Sequence, residues 1–237
     1  MRLNDKQWGT GTRVAVLLHG MMGSSESWHR VAPVIAQRGY RVIALDLPGH
    51  GGSERDPNMS IDGVARDVSS ALAELGAARP DVAIGHSFGG TVLAAALVGL
   101  QPQRAIFVDA PMTSRGGWDR AETAAEYFEL KAERTVERLR ATRPHYSTDD
   151  CEAEGRAARD FDPETAAGIA AGNGGDWTPD GSVVSLMIRA DPSEYVSDDK
   201  AAVLRSRGVE VRDIVGASHS IWYSHFDEFM TVIDDWL

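Results

Sequence analysis

The stretch "AIGHSFGG", residues 83–90, places a serine between glycines, with apolar segments on either side. The helix-length segment "GGTVLAAALVGL", residues 89–100, overlaps its end. Glycines at 85 and 89 remove the side chains that would collide if the chain turned sharply from a strand into a helix. Such a turn lifts the Ser87 hydroxyl out of a sheet at a helix N-terminus, where backbone N–H groups favour developing negative charge. The stretch therefore predicts a strand–turn–helix unit with Ser87 as a candidate nucleophile.

Short apolar runs rich in valine, isoleucine and leucine recur along the chain. They cover residues 13–19, 41–47, 81–86, 105–109, 183–191 and 209–216. Nearly continuous apolar character is typical of strands buried on both faces. Amphipathic segments such as 24–39 and 60–76 separate most of these runs. The alternation predicts an α/β fold with a mostly parallel twisted sheet and helices on both faces.

One interval, residues 112–178, is far longer than the few residues that usually connect a strand to the next element. Within it, residues 120–143 favour helix by composition and charge pattern. Two shorter helix candidates begin at Ser147 and Asp162. We therefore expect a helical cap over residues 112–178, on a core formed by residues 1–111 and 179–237.

Charge, hydropathy and cysteine content limit the kinds of molecule that the protein is expected to bind. The formal net charge of −11 over 237 residues argues against nucleic acid. No apolar run reaches the roughly 18 residues of a membrane span, and the first residues lack the apolar core of a signal peptide. The single cysteine, Cys151, cannot form an intramolecular disulfide. We expect a cytoplasmic protein, a monomer or homodimer, that acts on a small molecule without a nucleic-acid or membrane partner.

A serine hydroxyl needs a base within hydrogen-bond reach, and that base needs a carboxylate to orient it. His219 in "VGASHSIWY" follows the last predicted strand and is the candidate base. Asp191 in "IRADPS", at the end of the preceding strand, is the favoured acid. Asp109 in "FVDAP", at the end of an earlier strand, is the alternative.

Ester chemistry at Ser87 also needs backbone donors for an oxyanion. The glycine-rich "LLHGMMGSSESW", residues 17–28, follows the first clear strand and can present a peptide N–H to the same edge of the sheet. We expect the N–H groups of Met21 and Phe88 to be these donors. His19 is expected to be a structural loop residue.

Taken together, the sequence resembles the α/β-hydrolase fold superfamily. The matching pieces are "HGMMGSSESW", "ALDLPGHGGS", "GHSFGG", "RADPS" and "GASHS", in that family's order. The resemblance implies a nucleophile, an acid and a base at Ser87, Asp191 and His219, an oxyanion hole from the Met21 and Phe88 amides, and a helical cap over the site.

The resemblance also has consequences for two segments that carry none of these catalytic roles. In the family "DLPGHGGS" is a structural turn, so His50 and Ser53 are expected to be structural. Only 18 residues precede His19, so the usual N-terminal hairpin should be shortened to one strand around residues 2–8 or be missing.

The nucleophile type narrows the reaction, because the family's epoxide hydrolases and dehalogenases use aspartate where this chain has serine. We expect a serine hydrolase that cleaves a small apolar or aromatic carboxylic ester or lactone through an acyl-enzyme on Ser87. A carbon–carbon bond hydrolase or lyase with the same three residues is the alternative, and a non-catalytic ligand receptor is a third hypothesis. No metal or organic cofactor is expected.

Large side chains in the loops and the cap could line the substrate pocket. The expected substrate-binding residues are Met22, Trp28, Trp118, Tyr127 and Trp222. Arg115 and Arg120 could pair with a substrate carboxylate, as in lyase-like members of the family.

Overall fold

The computed structural model describes residues 1–237 and contains one large sheet. The strands are β1 (Asp5–Trp8), β2 (Arg13–Leu18), β3 (Tyr40–Leu45), β4 (Val82–His86), β5 (Arg104–Val108), β6 (Thr113–Ser114), β7 (Gly175–Asp176), β8 (Val184–Asp191) and β9 (Glu210–Val215). Seven of them form the sheet in the order β1-β3-β2-β4-β5-β8-β9. Only β1 is antiparallel to its neighbour. The predicted mostly parallel sheet is confirmed.

Helices connect these strands and cover both faces of the sheet. They are α1 (Val31–Gln37), α2 (Ile61–Glu74), α3 (Phe88–Leu100), α4 (Arg120–Glu133), α5 (Val136–Thr142), α6 (Thr148–Asp160), α7 (Pro163–Ala171), α8 (Asp198–Ser206), α9 (Ile221–Ser224) and α10 (Phe226–Val232), with 3₁₀ helices at Ser25–Trp28 and Asp234–Trp236. None of these helices combines the length and the apolar character needed to cross a bilayer.

Alternation within each apolar run explains the two-sided burial. In β2, Val16 and Leu18 belong to a cluster of 32 buried residues, which α2, α3 and α8 complete. Ala15 and Leu17 belong to a second cluster of 25 buried residues, completed by α1, α9 and α10. Successive side chains of a strand point to opposite faces, so a run that is apolar throughout needs helices on both sides.

The N-terminal edge is a single strand, as the short N-terminal segment predicts. β1 pairs antiparallel with β3, from Asp5 opposite Leu45 to Trp8 opposite Val42. The strands that precede Ser87 and the two candidate acids lie further along the sheet order, away from β1.

Four helices and a two-stranded ribbon stand between β5 and β8. β6 and β7 form the antiparallel ribbon, and α4 to α7 lie between them in the chain. The segment 120–143, expected to be helical throughout, is interrupted after α4. There Thr135 starts α5 by accepting the Arg138 N–H with its hydroxyl, which is the usual role of threonine at a helix N-terminus. The boundaries of the cap at 112 and 178 stay a prediction.

Buried charges on α6 attach this helical segment to the core. Asp150 is fully buried, and its carboxylate lies 3.2 Å from His29 Nε2 and 3.3 Å from Arg30 Nη1. Glu154, also buried, accepts hydrogen bonds from Ser27 Oγ at 2.9 Å and from the Tyr223 hydroxyl at 2.8 Å. Removing one partner of such a buried pair is costly, since the remaining charge stays uncompensated.

The variant His29→Gln should remove a pH-dependent part of this attachment. Contact with Asp150 raises the pKa of His29, although burial opposes the rise. The stabilisation is therefore complete below the unfolded pKa of about 6.5, and it is lost as pH rises through the higher folded pKa. Over that alkaline window the free energy of unfolding of the wild type should fall by up to about 1 kcal/mol more than that of the variant. Urea denaturation at a series of pH values measures this, and parallel pH curves would contradict it.

Candidate active site

Ser87 occupies the turn between β4 and α3. Its φ of 50° and ψ of −120° are strained for a residue with a side chain. A Cβ at Gly85 would lie 2.5 Å from the Gly89 carbonyl oxygen. A Cβ at Gly89 would collide with the carbonyl oxygens of Leu18 and His19. The turn therefore requires glycine at both positions and packs tightly against the end of β2.

The Ser87 hydroxyl is available to a bound molecule. Ser87 occupies the N-terminal cap position of α3 but makes no side-chain capping hydrogen bond. It lines a cavity of about 470 Å³, together with His219 and Asp109. These three side chains, which follow β4, β5 and β9, thus meet at one cavity.

His219 is oriented by Asp109. Its Nδ1 lies 2.7 Å from Asp109 Oδ2, and Asp109 is 1% exposed. Ser193 Oγ donates to the other oxygen, Oδ1, at 2.6 Å. Since the contact with the carboxylate places the proton on Nδ1, Nε2 of His219 carries a lone pair and can accept a proton. The Tyr195 ring stacks on His219 at 4.1 Å.

The prediction that Asp191 orients His219 was wrong. Asp191 is still within the sheet, paired with Val215, and its carbonyl accepts the Gly216 N–H at 2.8 Å. Asp109 lies one residue beyond the end of β5, where a φ of 43° turns the chain out of the sheet. The Asp109 N–H still donates to the Ile188 carbonyl of β8 at 2.7 Å, and the chain turns away from the sheet at this residue, whereas Asp191 is still paired with β9.

The two expected oxyanion donors have no acceptor of their own in the protein. Phe88 is the first residue of α3, so its N–H has no partner within the helix. Met21 lines the cavity in the loop after β2, and its N–H makes no hydrogen bond. The next residue, Met22, has a φ of 60° and donates its N–H to His50 Nε2 at 3.2 Å, which holds this loop in place. The role of the two donors stays a prediction.

Three buried histidines support the loops around the cavity. Burial lowers the pKa of His50 to about 3, lowers that of His19, and lowers that of His86 well below the ordinary value. His19 Nε2 accepts the Leu47 N–H at 2.9 Å. His86 Nε2 lies 3.0 Å from the carbonyl oxygen of His219, so it supports the loop that carries the candidate base. Sequence reasoning missed His86, whose position inside "GHSFGG" was the available signal.

The cavity wall is mostly polar, contrary to the expected apolar pocket. Six of its twenty lining residues are hydrophobic, Trp222 among them. The other expected substrate-binding residues, Met22, Trp28, Trp118 and Tyr127, do not line it, and their role in substrate binding stays a prediction. Trp28 stacks behind Trp222 at 4.4 Å in the core. Met22 packs on Phe161, with Tyr127 against the same small cluster. Met22, Trp28 and Tyr127 thus pack against other side chains, the commonest use of large apolar residues, whereas Trp118 is exposed.

The arginines of the cavity are also different from those expected. The Arg115 guanidinium stacks on Trp118 at 4.1 Å, and Arg120 lies 3.5 Å from Glu164. Neither lines the cavity, whereas Arg134 and Arg143 do. No sequence pattern distinguished these two from the other arginines of the helical segment. No group of three or more His, Cys, Asp or Glu side chains is arranged to hold a metal ion.

Sequence comparison relates the chain to hydrolases over part of its length. A bifunctional epoxide hydrolase 2 of Sus scrofa is 35% identical over 96 residues, 39% of this chain and 17% of that protein. An sn-1-specific diacylglycerol lipase of Mus musculus is 38% identical over 76 residues, 32% of this chain and 24% of that protein. The chain thus matches less than a quarter of the length of either relative.

Comparison of whole structures and of family models extends the relation to the full chain. Est816, described as an N-acyl homoserine lactone degrading enzyme, superposes with a TM-score of 0.77 at 19% identity, covering 99% of this chain and 96% of that one. This similarity shows the fold. The model of the alpha/beta hydrolase family matches residues 15–232. The protein therefore belongs to the alpha/beta hydrolase family.

Proposed function

We propose that this protein is a serine hydrolase that cleaves a carboxylic ester or lactone through an acyl-enzyme on Ser87. One observation carries the proposal: an unbonded Ser87 hydroxyl in a strained turn shares a cavity with His219, whose Nδ1 is bound to buried Asp109. A nucleophile, a base and a group that orients the base are the parts that acyl transfer needs.

In the first half of the reaction the Ser87 oxygen attacks the ester carbonyl carbon while His219 Nε2 takes the hydroxyl proton. Asp109 stabilises the imidazolium that forms, without taking the proton itself. The carbonyl oxygen becomes an oxyanion and accepts from the N–H groups of Met21 and Phe88. The intermediate then collapses, the alcohol leaves with the proton from His219, and the acyl group remains on Ser87.

In the second half a water molecule attacks the acyl-enzyme carbonyl. His219 Nε2 takes one proton of this water, and the same two N–H groups stabilise the second oxyanion. Collapse of this intermediate breaks the bond to Ser87 Oγ, which takes the proton back from His219. The carboxylic acid is released and the enzyme returns to its starting state.

The residue type at the nucleophile position favours ester cleavage over epoxide opening. Epoxide opening in this family uses an aspartate nucleophile, and here the position is Ser87. The diacylglycerol lipase and the lactone-degrading structure are among the similar proteins whose described substrates contain an acyl–oxygen bond. The polar cavity wall favours a small polar ester or lactone over the apolar one expected from the sequence.

Labelling by a fluorophosphonate probe tests the nucleophile directly. We expect rapid labelling of Ser87, located by peptide mass mapping, since an activated serine attacks phosphorus as it attacks a carbonyl. The variant His219→Ala should slow labelling by orders of magnitude, and Ser87→Ala should abolish it. Circular dichroism spectra must show that both variants are folded. Equal labelling of folded wild type and His219→Ala would contradict the proposal.

A matched pair of aspartate variants tests the acid. Asp109→Asn should lower kcat on a simple phenyl ester by roughly 10⁴-fold, the cost of losing the carboxylate that orients a catalytic histidine. Asp191→Asn makes the same chemical change at the end of the neighbouring strand and should retain nearly wild-type kcat. The reverse order of the two effects would show that Asp191 orients His219.

Ser193 is a positioning residue in this scheme, because it holds the Asp109 oxygen that His219 does not use. Its hydroxyl donates to Asp109 and accepts the N–H groups of Tyr195 and Val196, at 3.1 and 2.9 Å. Ser193→Ala should lower kcat about tenfold, equivalent to about 1.4 kcal/mol, with little change in KM. Ser193→Thr keeps the hydroxyl and should recover much of the loss. A stability loss with unchanged kcat in Ser193→Ala would mean that the hydroxyl serves only the loop.

A further inference from the structure

Two guanidinium groups lie at the cavity on the side of the helical segment between β5 and β8. Arg134 precedes α5 and Arg143 follows it, and both line the cavity that contains Ser87. We propose that these two arginines form a subsite for a substrate carboxylate, so that the protein cleaves esters whose acyl part also bears a carboxylate. The cleavage rests on the proposed function, whereas the binding of the carboxylate does not.

Arg134 is held in place and still has donors to offer. Its Nη2 is bound to Glu154 Oε2, and Glu154 is fixed in turn by Ser27 and Tyr223 on the core. Its Nε is buried without a hydrogen-bond partner, and Nη1 is bound to no protein group. A planar guanidinium in a fixed orientation is well suited to receive a carboxylate.

Arg143 is exposed and makes no ion pair or side-chain hydrogen bond within the protein. Arg138 and Arg140, on the helix that leads to it, lie 3.2 Å from Glu133 and 3.4 Å from Glu152. The chain carries 35 acidic residues against 24 lysines and arginines, so carboxylates are abundant. A guanidinium at the cavity that none of them neutralises is available to a negatively charged ligand.

The acidic side chains of the cavity compensate Arg134, which is paired with Glu154, but leave Arg143 without a partner. Glu154 is engaged by Arg134 and Asp109 by His219 and Ser193, so both are already compensated. Glu194 has no partner, but it is exposed and belongs to the loop after β8 rather than to the cap.

Tyr146 adds a neutral donor on the cap side of the same cavity. Burial raises the pKa of its hydroxyl, with Glu154 acting in the same direction. The hydroxyl therefore stays protonated at neutral pH and can donate to a carboxylate beside Arg143 without adding charge.

Matched esters test the subsite. Monophenyl esters of dicarboxylic acids, from succinate to suberate, are compared with phenyl esters of the monocarboxylic acids of equal chain length, following phenol release. At one chain length we expect kcat/KM for the acid ester to exceed that of its neutral partner by at least about tenfold. The chain length at which this preference is greatest measures the distance from Ser87 to the two arginines. Added salt should lower the ratio, because it screens the exposed part of the interaction.

Variants assign the preference to particular charges. Arg143→Gln should lower the acid-to-neutral ratio about tenfold, and Glu194→Gln should raise it. Arg140→Gln removes an arginine of the same helix that pairs on the surface, and the ratio should not change. Because Arg134→Gln would leave Glu154 buried and unpaired, Arg134→Lys is the usable variant there. It keeps the charge but loses the planar fork, and it should lower the ratio.

Calorimetric titration with glutarate and adipate separates this inference from the proposed function. Both dicarboxylates should bind the wild type more tightly than the corresponding diamides, and Arg143→Gln should lose the difference. Dicarboxylate binding of this kind without any ester turnover would overturn the proposed function and support the subsite. Ser87-dependent turnover of neutral and acid esters at equal rates, with no Arg143-dependent binding, would overturn the subsite alone. Absence of both activities would overturn both.

Discussion

Where β4 passes into α3, the backbone runs so close to the end of β2 that a Cβ at Gly89 would overlap the carbonyl oxygens of Leu18 and His19. This steric contact holds Ser87 in its strained conformation, with its N–H bound to the Val108 carbonyl of the next strand at 2.9 Å. The same approach brings the loop after β2, with its free Met21 N–H, to the cavity that Ser87 lines. The Ser87 side chain and the Met21 N–H are thus positioned by packing of the backbone rather than by side-chain hydrogen bonds.

Around this rigid turn, polar contacts between distant segments complete the site. The carboxylate that orients His219 is shared between that ring and the Ser193 hydroxyl, so loops after β5, β8 and β9 meet at Asp109. Glu154 has the corresponding role for the helical segment between β5 and β8, since it is bound by Ser27 and Tyr223 outside that segment and by Arg134 within it. A buried charge of this kind is tolerated only when it is paired and hydrogen-bonded. The same buried polar contacts therefore attach the helical segment and contribute to the polar wall of the cavity.

Much of the fold could be predicted from the sequence because strands and turns are set by short-range patterns. Each of the six apolar runs became a strand of the parallel sheet, and the serine and glycine starts and ends of α2 marked a real helix. The sequence analysis missed the interruption of the helical segment at Arg134. A threonine inside a charged helical pattern is a weak sign of a new helix, and only the structure shows that the Thr135 hydroxyl caps α5. Hydrophobicity alone also did not separate Trp222, which lines the cavity, from Trp28, which stacks behind it, because it does not say which of two stacked rings faces a cavity.

The sequence by itself determined the doubly covered parallel sheet and the position of Ser87, since both follow from residues that are neighbours in the chain. Only the tertiary structure decided between Asp109 and Asp191. Asp191 ends β8 and Asp109 directly follows β5 at the same edge of the sheet, and the outcome depends on where each backbone turns away from the neighbouring strand. The tertiary structure alone also decided that the cavity wall is polar, because the contacts that place polar side chains there join residues far apart in the chain. Asp109 and His219 are 110 residues apart, and Ser27 and Glu154 are 127 residues apart. No local pattern encodes separations of that length, since they depend on how the completed sheet brings its loops together.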